Sequence, residues 1–490
     1  MIDFRATALF AVSLVLLSST TTSAALPGSK PNVILIMTDD QGYGDLACHG
    51  NPIIQTPNLD KLHSESVRFT DFHVSPTCAP TRSAIMTGRH EFKNGITHTI
   101  NERERMTLSA TTLPQVLESV GYTTGIFGKW HLGDEDAYQP GQRGFDEVFI
   151  HGAGGIGQTY PGSCGDAPGN KYFDPVIRHN GRFEKTSGYC TDVFFRQAGQ
   201  WIDKVKGSQP FFCYITPNAP HGPLDCPPEY EQRYTGKVPE NVAKFYGMIT
   251  NIDDNVGRLM QQLKDSRLER NTLVIFMTDN GSATGSKVFN AGMRAAKGTP
   301  YNGGTRVPGF WRWPGTLSPA DVPALTCHWD ILPTLMELTG AKPDAKLQAQ
   351  IEGRSLVPLL ENPQAPWADR FFFTHVGRWD VKIDPRKTPD ITKFAKCSVR
   401  WKSYTLVSNV NQGPAKWELY DLTTDPGEAT DLSSQKPEVV ANMTRAYDEW
   451  WTSVLPHLEN EGVPFATANP FHTAYWAQYQ GPGPNNVPPK

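Results

Sequence analysis

Four residues set the first question: Asp39 and Asp40 in "PNVILIMTDD", and Asp279 and Asn280 in "NTLVIFMTDNG". Each pair follows an apolar run and the dipeptide Met-Thr. Side-chain oxygens of this kind are hard ligands, suited to calcium or magnesium. Acids at strand ends also cap the turns that follow them, but two matching pairs point beyond capping. The chain also offers Arg82, Lys129, His131, His221, Lys297 and Arg306, several in glycine-rich settings such as "GKWHLG" and "KGTPYNGGTRVP". Basic groups beside a cation form an anion pocket and stabilise negative charge developing on a transferred group. Cys78, in "SPTCAPTRSAIMTGRH", has three readings from its residue chemistry alone: disulfide partner, metal ligand, or nucleophile with a thiol acidified by its arginine neighbours.

For these groups to meet, their elements must share an edge. "PNVILIMT", "FFCYIT" and "NTLVIFMT" read as strands buried on both faces. "TTLPQVLESVGYTTGIFGKWH" reads as a helix, a stop at Gly121 and a strand. "NLDKLHSESVRFTDF" has helical spacing at Leu59, Leu62 and Val67, and "KFYGMITNIDDNVGRLMQQLKD" reads as a long amphipathic helix. Alternating strands and helices predict an α/β fold with a mainly parallel sheet sandwiched by helices. Ligands in such sheets collect at the carboxyl ends of the strands. That rule places Asp39, Asp40, Lys129, His131, His221, Asp279 and Asn280 on one rim. Beyond about residue 365 the pattern changes. "CSVRWKSYTLVS" and "KWELYDLTTDPGE" read as antiparallel strands with a turn at Asp425-Pro426-Gly427. "PEVVANMTRAYDEWWTSVL" reads as a helix, and "TAYWAQYQGPGPNNVPPK" as a loose tail. The expected domains are a catalytic unit over 26–365 and a smaller α+β unit, with an antiparallel sheet, over 366–490.

Composition narrows the class. The 490 residues carry a net charge of −4, with 38% hydrophobic and 20% charged residues. This is a globular balance without the basic footprint of a nucleic-acid binder. Arg5, the twelve-residue stretch "ATALFAVSLVLL" and the small residues of "TTTSAAL" read as an export signal over 1–25. The apolar run is short for a bilayer span, so no stable membrane insertion is expected, and the chain is expected in the periplasm or outside the cell. Export permits disulfides. Eight cysteines allow four, with Cys164–Cys190 and Cys213–Cys226 as short-loop candidates.

Six blocks, in this order, resemble type I sulfatases: "NVILIMTDDQGYGD", "CAPTRSAIMTGRH", "GYTTGIFGKWHLG", "NAPHGP", "FMTDNG" and "KGTPYNGGTRVP". The Cys-x-Pro-x-Arg signature begins at Cys78. The resemblance implies an alkaline-phosphatase-like fold and a sulfuric ester hydrolase. It implies that a separate maturation enzyme oxidises Cys78 to formylglycine, whose hydrate attacks sulfur to give a sulfated enzyme. The second hydroxyl on the same carbon then expels sulfate, an intramolecular step with the advantage of proximity. Calcium would be held by Asp39, Asp40, Asp279, Asn280 and an oxygen of modified Cys78. Arg82 would stabilise the hydrate, and Lys129 and Lys297 would hold sulfate oxygens. His131 would act as the base that releases sulfate, and His221 as the acid on the leaving oxygen, assignments that two imidazoles near one centre leave open to exchange. Some members carry a serine or histidine that touches sulfate, and here "GFDEVFIHGAGGIGQTYPG" offers His151.

Export favours a sulfated carbohydrate as substrate. His98, Asn101, Arg103, His375, Arg378 and Trp379 are candidate sugar contacts, since aromatic faces suit sugar rings and arginines suit further sulfates. Three alternatives stand beside this reading: an aryl sulfatase of broad specificity, a phosphodiester or phosphonate monoester hydrolase on the same scaffold, and a glycan-binding protein whose Cys78 is never modified.

Overall fold

The computed structural model describes residues 26–481 apart from 161, 381, 459 and 461–466, so the expected export signal lies outside the described residues. The strands are β1 (Asn32–Thr38), β2 (Val67–Phe69), β3 (Phe72–His73), β4 (Thr123–Lys129), β5 (Glu147–His151), β6 (Val176–His179), β7 (Arg182–Lys185), β8 (Phe211–Thr216), β9 (Thr272–Thr278), β10 (Gly309–Arg312), β11 (Ala320–Val322), β12 (Thr326–Cys327), β13 (Phe371–His375), β14 (Cys397–Trp401), β15 (Tyr404–Ser408) and β16 (Trp417–Asp421). Ten of them form one mixed sheet in the order β11-β2-β10-β9-β1-β8-β4-β5-β6-β7. Its centre, β9-β1-β8-β4-β5, is parallel throughout.

β1 shows why the sheet is sandwiched. All seven of its residues are buried, and alternate side chains point to opposite faces. Val33, Leu35 and Met37 join one core with Ile85, Met86, Leu113 and Leu332. Ile34 and Ile36 join the other with Phe194, Trp201, Ile252 and Leu259. The first face is covered by helices Cys78–Thr87, Leu113–Glu118 and Ile331–Thr339, the second by Pro57–Ser64, Cys190–Val205 and Glu240–Asp265. Burying each of these aliphatic side chains contributes about 1.5–3 kcal/mol.

β13–β16 form a separate antiparallel sheet in sequence order. The Pro437–Val454 helix covers it through Met443, Tyr447, Trp450 and Trp451. The Asp425 turn reaches back to the large sheet's loops: the Asn302 N–H donates to Glu428 Oε2 at 2.9 Å, and Arg294 donates to the Glu428 carbonyl at 2.9 Å. These contacts brace the segment that carries Lys297.

Three expectations change. The helical spacing through Val67 breaks, because the helix ends at Ser64 and Val67 opens β2; a buried β-branched residue pairs there with Trp311 of β10. The C-terminal tail is not loose over Pro470–Tyr479, which is a helix. Asn469 caps its start, and Phe471 and Tyr475 pack on Phe183. The cysteines do not pair: all eight are free, and seven are buried. Cys213 lies inside β8, and Cys190 opens a helix within the same apolar core as Cys226. There they fill space as small apolar side chains.

Candidate active site

The parallel register creates the site. Thr38 of β1 lies beside Thr278 of β9, so the next residues, Asp39 and Asp279, leave the sheet side by side. The Asp279 N–H donates to the Thr38 carbonyl at 3.0 Å. Asp40 turns out of the strand with φ +69°, a left-handed conformation that costs a non-glycine residue about 1 kcal/mol or more. Its N–H then donates to Asp279 Oδ1 at 3.2 Å, and Asn280 Nδ2 donates to Asp40 Oδ1 at 3.0 Å.

Cys78 is the first residue of a helix whose ten residues are all buried. One turn later, Arg82 donates to Asp279 Oδ2 at 2.7 Å, to Thr216 Oγ1 at 2.5 Å and to the Lys129 carbonyl at 3.1 Å. It therefore ties the ends of β9, β8 and β4 together. Lys129 ends β4 and donates to Asp39, and Lys297 donates to Asp40. Ligand atoms of Asp39, Cys78 and Asp279 lie within 4.8 Å of one another, as do those of Asp39, Asp40 and His221.

Burial pushes the Asp39 carboxyl up to about 7, against the pull of Lys129. It pushes Asp279 up to about 6, with Asp39 adding to the rise and Arg82 opposing it. Burial acts the same way on Asp40, but Lys297 and His221 outweigh it and hold that carboxyl below its usual range. Lys129 and Lys297 likewise overcome the burial of Cys78 and lower its thiol. Asp39 Oδ1 and Asn280 Oδ1 are buried with no protein partner. Orphaned hard oxygens beside three buried carboxylates fit a divalent cation.

The histidines carry defined tautomers. His131 Nε2 is 2.7 Å from the Thr99 carbonyl, which can only accept, so Nε2 carries the proton. Its Nδ1 then bears a lone pair, buried and without a protein partner. His221 Nδ1 faces the Gly222 carbonyl at 2.7 Å, leaving Nε2 3.9 Å from Asp40 Oδ2. Burial lowers both histidines. His151, at the end of β5, is opposite Lys129 in register and has both ring nitrogens buried and unpartnered.

Arg306 lies apart from the carboxylates. It donates to the Thr70 carbonyl and stacks 4.2 Å from the Tyr43 ring. Of the sugar-contact candidates, His98, Asn101 and Arg378 sit on an accessible loop edge. That edge connects to the centre, because Arg378 donates to Thr99 Oγ1 at 2.9 Å and Thr99 in turn holds His131. Arg103 instead donates to the carbonyls of Trp379 and Ile383. His375 and Trp379 are buried in the aromatic core with Phe92 and Trp451. The His375 ring uses both nitrogens, on the Thr392 carbonyl and the Gly377 N–H, so it has none free for a ligand.

Two features escaped the sequence. Thr216 is a ligand of Arg82 at the β8 end. The loop 152–157 presses onto both histidines: a Cβ on Gly155 would meet His221 Nδ1 at 2.9 Å, and one on Gly154 would meet His131 Cε1 at 3.5 Å. The sequence clue was "GAGGIG" itself, since close backbone approach needs glycine.

Fold and site together match a hydrolase with a candidate metal-binding cluster of acids and a cationic anion pocket at the carboxyl rim of an alkaline-phosphatase-like sheet. The sulfatase family model matches residues 31–341, and the N-sulphoglucosamine sulphohydrolase C-terminal model matches 296–450. The chain belongs to the sulfatases, hydrolases of sulfuric esters. It is 31% identical to human arylsulfatase A, over 84% of this chain and 85% of that one. It is 30% identical to human N-acetylgalactosamine-6-sulfatase, over 89% and 86%. Among solved structures it resembles Ps i-CgsB in complex with k-i-k-neocarrahexaose, at TM-score 0.76 and 28% identity, over 92% of this chain and 98% of that one. Among the described residues, no helix is long and apolar enough to cross a membrane.

Proposed function

We propose that this chain is an exported sulfatase that cleaves sulfate esters on a carbohydrate, with Cys78 matured to formylglycine by a separate enzyme and calcium held by Asp39, Asp40, Asp279 and Asn280. The observation that carries the reading is the meeting of Cys78 with Asp39 and Asp279 within 4.8 Å, at the head of a wholly buried helix. The orphaned oxygens of Asp39 and Asn280 support a hard cation. Such an ion would neutralise the carboxylates and draw charge from a bound sulfate. The hydrated aldehyde supplies two hydroxyls on one carbon, one to attack sulfur and one to expel it.

The chain's own side chains do the rest. Lys129, beside Asp39, and Lys297, beside Asp40, bind anionic oxygens. Arg82 fixes the ends of three strands around Cys78. His131 Nδ1, with its lone pair, accepts the proton from the second hydroxyl. His221 Nε2 gives a proton to the leaving oxygen. The carbohydrate assignment draws support from the N-acetylgalactosamine-6-sulfatases and the oligosaccharide complex among the relatives, and from His98, Asn101 and Arg378 on the accessible edge. We place the domain boundary near residue 365, a reading that the separate sheet β13–β16 supports.

Two measurements test this. Mass spectrometry of the Cys78 peptide, from a host with the maturation enzyme, should show the thiol replaced by an aldehyde. The mature protein should turn over a sulfated sugar faster than a matched phosphate diester. Diester hydrolysis faster by orders of magnitude would replace the sulfatase reading with that of a phosphodiesterase; an intact thiol with no turnover of either would favour glycan binding. A fold neighbour at TM-score 0.62 and 19% identity, the phosphonate monoester hydrolase of Agrobacterium radiobacter, makes a phosphorus ester a relevant control.

A further inference from the structure

Downstream of the Asp40 loop, Cys48, His49 and His63 bring one ligand atom each within 4.8 Å of one another. We propose that these three residues form a second metal site, for a borderline-soft divalent cation of the zinc class, distinct from the oxygen-rich catalytic cluster. The two sites differ in ligand chemistry: one thiol and two imidazoles here, carboxylates and an amide there. Thiolate and imidazole nitrogen select zinc over calcium or magnesium.

The local structure prepares each ligand. Cys48 and His49 lie in the short helical turn Ala47–His49, and His63 lies near the end of the helix Pro57–Ser64. All three are half-buried, so an ion can enter from solvent. His49 Nδ1 is 2.8 Å from the Tyr43 carbonyl. That nitrogen must carry the proton, which leaves Nε2 as a lone-pair donor. A backbone carbonyl behind a histidine is the usual orienting partner of a metal ligand. The Tyr43 ring stacks on His49 at 3.7 Å between centroids and fixes its plane. The His63 ring has no hydrogen-bond partner among the described residues and meets His49 edge-on at 5.5 Å.

Asp60 completes the arrangement from one turn earlier on the His63 helix. Its Oδ1 accepts the Cys48 N–H at 2.9 Å, and its carboxylate also faces the Cys48 thiol. Arg68 and Arg306 stand nearby as opposing charges; Arg68 is paired with Asp321 at 2.5 Å, and Arg306 is engaged by the Thr70 carbonyl. On binding, the thiol loses its proton to solvent by way of Asp60 and a sulfur–metal bond forms, with no change in oxidation state. Three protein ligands leave a fourth position for water. The bound ion would pin the turn at 47–49 to the 57–64 helix, and so the loop that begins at Asp40.

Cobalt(II) is the probe, because a cobalt–thiolate bond gives a charge-transfer band in the near ultraviolet. Full-length protein with calcium present should show the band saturating at one cobalt per chain, and zinc should abolish it. The band should persist in Cys78→Ala and vanish in Cys48→Ser. His63→Ala, on an accessible helix face, should weaken cobalt binding by at least about tenfold while keeping the native circular dichroism. No saturable band, a band that survives Cys48→Ser, or one lost with Cys78→Ala would each overturn the proposal. If Cys48→Ser fails to fold, unchanged affinity in folded His63→Ala overturns it equally.

Discussion

Replacing His221 with alanine separates its proposed role as proton donor from a merely structural one. Its Nδ1 is committed to the Gly222 carbonyl at 2.7 Å, and Nε2 is the nitrogen that faces the carboxylate centre, 3.9 Å from Asp40 Oδ2. Burial lowers its pKa while Asp40 opposes that shift, so the anionic neighbour favours the protonated ring that a proton donor needs. A proton given from Nε2 matters in proportion to the basicity of the departing oxygen. A sugar alkoxide needs it, and general acids of this kind contribute about 100- to 10,000-fold, equivalent to about 2.7–5.4 kcal/mol of barrier. A nitrophenolate leaves without help, so the loss there should stay within about tenfold, or about 1.4 kcal/mol. The assay is kcat/KM for His221→Ala and the parent on a series of sulfate esters with leaving groups of rising basicity. The slope against leaving-group pKa should steepen in the variant. Equal slowing across the series would refute the proton-donor role, and loss of bound metal in step with activity would make the residue structural.

Asp279→Ala removes one carboxylate of the cation cluster and takes from the buried Arg82 guanidinium its nearest carboxylate, at 2.7 Å, leaving Asp39 at 3.9 Å. Breaking such a pair costs about 3–5 kcal/mol, so urea unfolding should shift by that amount and metal analysis should fall below one ion per chain. Gly155→Ala places a methyl group 2.7 Å from the Gly222 carbonyl and 2.9 Å from His221 Nδ1; turnover should drop by about 100-fold, as expected for a displaced reacting group, and the unfolding midpoint should fall as well, because the backbone has to shift to admit the methyl. Glu91 is buried, accepts the Ser75 hydroxyl at 2.5 Å, and is pushed by burial from its ordinary value of 4.5 up to about 7. The folded state thus holds the proton more tightly than the unfolded state, so this contribution to stability is complete below pH 4.5 and is lost as pH rises through about 7. Glu91→Gln, which never ionises, should be more stable than the parent at pH 8 by up to about 3 kcal/mol and similar at pH 5, as read by urea titration.

What could be read from the chain, and what could not, divides along a physical line. Asp39, Asp40, Asp279 and Asn280 were legible because a buried parallel strand announces itself as an unbroken apolar run, and the residue after it must emerge at the rim. The same reasoning reached Lys129 and His131. Arg82 was visible as one of several basic groups, and the signature around Cys78 gave it a specific role. Its three acceptors on β9, β8 and β4 are long-range contacts that no local pattern encodes. The left-handed backbones of Asp40 and His131 were invisible for the same reason: surrounding structure imposes them on residues that do not favour them. For two of the sugar candidates, residue type underdetermines direction. His375 and Trp379 have the chemistry of a binding face, but a strand end and the turn after it send them into an aromatic core. The cysteines failed likewise, since a thiol that fills an apolar core and one that awaits a partner look identical in sequence. Catalytic groups act on shared atoms, so the fold gathers them by rule at one strand edge. Specificity and second-site ligands arise where loops distant in sequence happen to meet, which is why Cys48, His49 and His63 became a cluster only once helix and turn were set side by side.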